Sequence, residues 1–258
     1  DQEGGRIQRF QNDFPCLPEP SYWSERMRLS PYTVADEFQQ AYNRMLLTLQ
    51  NAGVTLSLIP VLDLDYQRSS VLRQRCFDED PMVVSYFGNL LANTMKAHGM
   101  PTTAKHFPGH GYAVADSHTE LPHDNRTFDE IWQSDLLPYR DLITLLDVIM
   151  PAHIIFDAID PTIVSFSRYW LQNVLRGMLG FQGVIMSDCM SMQATCDYDT
   201  DERAVLAWEA GCDIVTFCNS REQVLRLLDV LPINIQLATN PTLEAFRHRY
   251  KIKQGAVL

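Results

Sequence analysis

Val34, Phe38, Ala41, Tyr42, Met45, Leu46 and Leu49 recur at spacings of three and four, so residues 33–52 predict an amphipathic helix that stops at Gly53. The apolar run 54–64 reads as a buried strand ending in the polar Asp63 and Asp65. Asp80-Pro81 pairs a capping side chain with a first-turn proline, and Val84, Phe87, Leu90, Leu91 and Met95 carry the next helix to Gly99. A short strand is expected at 102–107. Thr127-x-x-Glu130 has the form of a capping box for a further helix. Beyond it the pattern predicts a strand at 148–156, a helix at 168–179, a strand at 183–187 running into Asp188, a helix at 202–210, a strand at 214–218 and a helix at 221–231. Strand–helix units of this length imply a parallel sheet with helices outside it.

Polar residues sit where these strands end: Asp63 and Asp65, Lys105 and His106, His153, Asp188, Asn219. In a parallel α/β barrel those ends share the face that carries the chemistry. The fold class expected is therefore α/β, a TIM-type barrel. About five strands are visible where a closed barrel needs eight. The opening Asp1-Gln2-Glu3-Gly4-Gly5 itself reads as a strand end, so the first N-terminal strands are expected to lie ahead of Asp1.

The 258 residues, 46% hydrophobic and 21% charged, suit one α/β-barrel core. No Pro/Gly/Ser-rich linker divides them, and a single domain over 1–258 is expected. A net charge of -11 argues against nucleic acid or an anionic membrane as partner, though a pocket can be basic in an acidic molecule. The six cysteines form no CxxC pair and are expected to be reduced thiols in a cytoplasmic protein. No signal peptide or membrane-spanning apolar run is visible.

The richest chemistry lies at 105–118, Lys-His-Phe-Pro-Gly-His-Gly-Tyr-Ala-Val-Ala-Asp-Ser-His. Glycine and proline shape such a loop while its polar groups face a pocket. Asp116-x-His118 is a carboxylate beside an imidazole, suited to a general acid/base whose partner orients and charges the ring. Asp188 either caps a helix or projects from a strand end as a carboxylate able to attack an anomeric carbon. Lys105, His106, Arg75, Arg9 and Asp1 form a looser group able to bind substrate oxygens, and composition alone does not separate Arg9 and Arg75 from Arg6, Arg68 and Arg73. His106-x-x-x-His110 would share a helical face and could grip zinc, but Pro108 and Gly109 between them oppose a helix, so no metal and no cofactor are expected. His110 is expected to hold the loop by hydrogen bonds. His153 is either a satisfied strand-end histidine or a substrate contact. Met186, Met190 and Met192 are expected as gap-filling core, one of them able to floor a sugar pocket.

The opening Asp1-Gln2-Glu3-Gly4-Gly5-Arg6-Ile7-Gln8-Arg9, the loop 105–118, Ile59-Pro60-Val61-Leu62-Asp63, the segment 183–192 and Ala210-Gly211-Cys212-Asp213 together resemble the bacterial β-N-acetylhexosaminidases of glycoside hydrolase family 3. The resemblance implies a metal-free barrel enzyme, expected as a monomer. It would remove a terminal β-linked N-acetylglucosamine from muropeptides in peptidoglycan recycling, with retention of configuration. It implies Asp188 as nucleophile, His118 as acid/base and Asp116 as its dyad partner, with substrate contacts at Asp1, Arg9, Arg75, Lys105 and His106. This chain departs from the family pattern at Cys189, where an acidic residue usually follows the nucleophile, and at Arg73, where a glycine is usual and where crowding of the Arg75 loop is expected. Alternatives within enzymes are a family 3 β-glucosidase, a phosphorolytic transferase or a zinc hydrolase. Outside enzymes, the alternative is a silent sugar-binding barrel.

Overall fold

The computed structural model describes residues 1–69, 71–115, 117, 119–230 and 240–252. An antiparallel hairpin of β1 (Gln2–Gly4) and β2 (Ile7–Gln8) opens the chain, followed by helices α1 (Pro20–Leu29), α2 (Val34–Asn51) and α3 (Pro81–Ala97). Then come β3 (Thr103–Phe107), β4 (His123–Asp124), α4 (Phe128–Gln133), α5 (Leu136–Leu142), β5 (Val148–Pro151) and β6 (Ile155–Phe156). A π-helix (Tyr169–Met178), β7 (Val184–Cys189), α6 (Thr200–Ala210), β8 (Ile214–Thr216), α7 (Arg221–Val230) and a helix Pro241–Arg249 complete the described elements.

β3, β5, β7 and β8 make a parallel sheet in that order, with Thr103 facing Val148, Val148 facing Val184 and Met186 facing Ile214. Residues 59–62 extend it. The Thr103 N–H donates to the Ile59 carbonyl and the Leu62 N–H to the Lys105 carbonyl, both at 2.7 Å, and Val61 bridges Lys105 in parallel. Five parallel strand segments thus stand side by side in chain order, so all their carboxyl ends open on one rim.

A parallel sheet must be covered on both faces. Successive strand residues alternate between the faces. Ile149 and Ile185 belong to the main core, into which α2 sends Val34, Phe38, Ala41, Tyr42, Met45, Leu46 and Leu49, all buried as the spacing predicts. Val148, Met150, Val184 and Met186 face the other way. There Phe246 of the helix Pro241–Arg249 packs on them, with Leu243, Tyr250 and Ile252 beside it.

The caps behave as read: Asp80 accepts from the Met82 N–H at 2.9 Å, and Thr127 and Glu130 complete a reciprocal box. Three expectations shift, and one helix was missed. α6 begins two residues before Glu202, on a second capping box between Asp199 and Glu202. The strand expected over 148–156 breaks into β5 and β6, because β6 leaves the sheet to pair with β4. The helix expected at 168–179 forms over Tyr169–Met178 but winds as a π-helix. α1 was invisible because it buries only Pro20, Trp23 and Ser24, too few apolar positions to set a period.

Candidate active site

At the carboxyl rim of the sheet lies a cavity of about 290 Å³ lined by Asp1, Arg9, Arg75, Lys105, His106 and Asp188, among others. They reach it from four elements: Asp1 and Arg9 flank the opening hairpin, Arg75 ends a short 3-10 helix, Lys105 and His106 lie near the end of β3, and Asp188 is the penultimate residue of β7. The candidate acid/base pair Asp116 and His118 lies outside the described residues. Ser117 also lines the cavity.

Lys105 is fully buried, and a buried ammonium needs counter-charges. It has two: Asp1 Oδ1 at 2.7 Å and Glu3 Oε1 at 2.7 Å. Glu3 also takes a fork from Arg75, Nε to Oε2 at 2.8 Å and Nη2 to Oε1 at 2.9 Å. Burial pushes the Glu3 carboxyl up, but Lys105 and Arg75 outweigh it and hold the group at about 2. Arg9 is largely exposed, 3.8 Å from Asp1 Oδ2 at the mouth. Of the five arginines the sequence left undivided, only Arg9 and Arg75 line the cavity. Arg6 is held by the Val71 carbonyl, Arg68 lies over the Tyr112 ring, and Arg73 is exposed.

Asp63 fixes the next pair. Its Oδ2 lies 2.6 Å from His106 Nδ1, and its Oδ1 accepts from the His110 backbone N–H at 2.8 Å. Burial raises the Asp63 carboxyl, yet His106, His110 and these bonds bring it below the ordinary value. His110 holds the loop by a hydrogen bond of its backbone and not of its ring. Its buried ring nitrogens have no partner among the described residues. His153 is the satisfied strand-end histidine of the two readings, buried between Ser165 Oγ at 2.9 Å and the Cys189 carbonyl at 3.2 Å.

Asp188 is part of β7 and not a helix cap. Ser187 beneath it is fully buried, and its hydroxyl accepts from the Thr216 N–H at 2.9 Å, which locks the strand end to β8. The Cys189 N–H reaches Asp188 Oδ1 at 2.7 Å. Burial raises the Asp188 carboxyl. His106, His153, the Cys189 amide and Lys105 more than compensate, so its pKa falls below the ordinary value. The result is an ionised carboxylate facing a cavity with cationic walls. Met186 and Met192 line that cavity, whereas Met190 is core.

The loop after β3 is braced by a buried network that the sequence did not reveal. Arg126 donates to Asp124 Oδ2 at 2.7 Å, to Asp135 Oδ2 at 2.7 Å and to the Tyr66 hydroxyl at 2.8 Å. Tyr66 in turn donates to Asp135 Oδ2 at 2.8 Å. Tyr112 packs edge-on against Tyr66, between the guanidinium groups of Arg68 (3.9 Å) and Arg126 (4.2 Å). Glu3 carried a faint signal, an acid inside a segment already read as part of the site. The Arg126 network carried none: Asp124, Arg126 and Asp135 follow no recognisable spacing, and Tyr66 joins them from 60 residues away.

The glycosyl hydrolase family 3 N-terminal domain matches residues 1–242. A beta-hexosaminidase of Aromatoleum aromaticum is 42% identical over 252 residues, covering 96% of this chain and 71% of that protein. One from Pseudomonas aeruginosa is 44% identical over 223 residues, covering 86% and 65%. Among these curated relatives the chain thus spans about two thirds of their length. The crystal structure of native NagZ from Neisseria gonorrhoeae superposes with a TM-score of 0.89 at 34% identity, covering 97% of this chain and 72% of that one. The chain belongs to glycosyl hydrolase family 3, with the TIM-type barrel architecture of that family's N-terminal domain.

Proposed function

We propose that this chain is the catalytic barrel of a retaining exo-glycosidase. It releases terminal, non-reducing β-linked N-acetylglucosamine from peptidoglycan fragments, N-acetylglucosaminyl-anhydro-N-acetylmuramic acid with or without its peptide. The observation that carries this reading is the ionised Asp188 carboxylate at the end of β7, in one cavity with Lys105, Arg75, Asp1 and His106. The relatives named beta-hexosaminidase support the sugar.

Asp188 attacks the anomeric carbon while His118, oriented by Asp116, protonates the departing oxygen. His118 then takes a proton from the water that cleaves the glycosyl ester. Lys105 and Arg75, fixed by Glu3, donate to sugar hydroxyls, with His106 and Asp1 beside them and Arg9 at the mouth. The chain acts as a single domain and a monomer in the cytoplasm, on a small amino-sugar substrate and on neither nucleic acid nor membrane. The six unpaired cysteines support a reducing compartment, and among the described residues no helix is long and apolar enough to cross a membrane.

The test is trapping with a 2-fluoro sugar bearing a good leaving group, followed by peptide mapping. A label on Asp188 is the expected result. Turnover without any label would point instead to attack by the substrate's own acetamide and overturn the assignment. Parallel assays on aryl glucosides, and with added phosphate, separate the β-glucosidase and phosphorolytic readings.

A further inference from the structure

The cavity wall beside Asp188 holds two thiols, Cys189 on β7 and Cys218 just past β8. β7 and β8 are neighbours, with Cys189 opposite Thr216 in the register, so the two cysteines meet across the strand ends. The Cys218 backbone N–H points at the Cys189 sulfur, 3.2 Å away. With an N–Cα bond of about 1.5 Å, that puts the Cys218 Cα within about 4.7 Å of this sulfur, inside disulfide reach. Ser191 Oγ lies 2.8 Å from the same sulfur. Cys218 is solvent-exposed, so a small reagent can reach the pair from the cavity. The glycosidase chemistry uses neither thiol.

We propose that Cys189 and Cys218 form a dithiol modification site, one that takes a two-electron oxidant such as hydrogen peroxide and closes as a disulfide that shuts the sugar cavity. Hydrogen bonding from the Cys218 thiol, and from Ser191 and the Cys218 amide, outweighs burial and lowers the Cys189 pKa well below that of an ordinary thiol, making it the attacking sulfur. The Cys189 thiolate attacks one peroxide oxygen and the O–O bond breaks. The departing hydroxide leaves as water with the proton the thiol released, and Cys189 becomes a sulfenic acid. The Cys218 sulfur then attacks the sulfenic sulfur. The S–S bond forms, the S–O bond breaks, and the Cys218 proton departs with the hydroxyl as a second water. Two electrons pass from the two thiols to one peroxide. Closure draws the 218–219 turn against β7 and disturbs the Cys189 amide that holds Asp188.

The experiment treats the fully reduced chain with hydrogen peroxide and digests it with trypsin without reduction. A disulfide joining peptides 177–203 and 204–221 is expected, with fragmentation assigning it to Cys189 and Cys218 and not to Cys196 or Cys212. The same sample should lose at least ten-fold of its rate on an aryl N-acetylglucosaminide and regain it with dithiothreitol. Cys218→Ser and Cys189→Ser, each compared with its own untreated rate, should keep that rate under peroxide. Absence of the cross-link, or a cross-link with unchanged rate, overturns the proposal. The loss of rate rests on the glycosidase reading, whereas the cross-link does not. An inactive untreated chain would sink that reading alone, and N-acetylglucosamine binding before and after oxidation would then report closure.

Discussion

Glu3 serves two cations at once, and its substitution should separate binding from chemistry. Its oxygens fix Lys105 Nζ and the Arg75 fork. Glu3→Gln leaves those groups present but less constrained, so KM on an aryl N-acetylglucosaminide should rise about ten-fold while kcat changes less. The carboxylate also stabilises the fold. Its folded value of about 2 lies below the ordinary 4.5, so the stabilisation is complete above about pH 4.5 and is lost as pH falls through about 2. A depression of that size corresponds to a contribution on the order of 3 kcal/mol. Urea unfolding of both proteins at several pH values should show their stability gap narrowing across that window, and a pH-independent gap would contradict the assignment. The catalytic pair makes a separate prediction. Asp188→Ala should abolish turnover on every substrate. His118→Ala should lose far more on a muropeptide than on an activated aryl glycoside, which needs little acid help. Equal losses on both would remove His118 from the acid role.

The loop after β3 shows how much an element owes to distant chain. Gly111 packs so closely that a Cβ there would collide with the Leu64 carbonyl. Gly111→Ala must therefore push the loop off the 63–66 segment, and activity should fall at least ten-fold with a measurable drop in Tm. Arg126→Met tests the same brace from the other side. It leaves Asp124 and Asp135 buried without their cation, at a cost of about 3–5 kcal/mol, read as a lower urea midpoint. These elements also mark the limit of sequence reading. The faces of α2 and α3, both caps at Asp80 and Thr127, and the strand ends bearing Lys105, His106 and Asp188 were legible, because each is set by spacing within a few residues. The Arg126 network, the His110 ring without a partner among the described residues, and the π-winding of Tyr169–Met178 were not. None leaves a periodic or capping signal: Asp124, Arg126 and Asp135 are near in sequence but show no spacing rule, and Tyr66 joins them from 60 residues away.

At the scale of the whole molecule, the two faces of the sheet are covered in different ways. α2, α3, α5 and the π-helix bury one face in a continuous core. On the other, Val148, Met150, Val184 and Met186 meet Phe246, with Leu243, Tyr250 and Ile252 alongside. Phe246 is the one buried aromatic ring of that cover among the described residues. Phe246→Ala should cost about 3–5 kcal/mol, since this cover has little around it to collapse into the space. For a chain of this size that is a fall in Tm of very roughly 6–20 °C. The same change also reports on the site. Met150 and Met186 touch Phe246's cluster and also line the cavity at the rim. If that shared layer holds the cavity floor, Phe246→Ala should raise KM as well as lower Tm, and Phe246→Leu, which keeps most of the volume, should restore both together. A Tm loss with KM unchanged would mean that the sheet transmits nothing from this cover to its rim, and that Lys105, Asp63 and the Arg126 brace hold the site unaided.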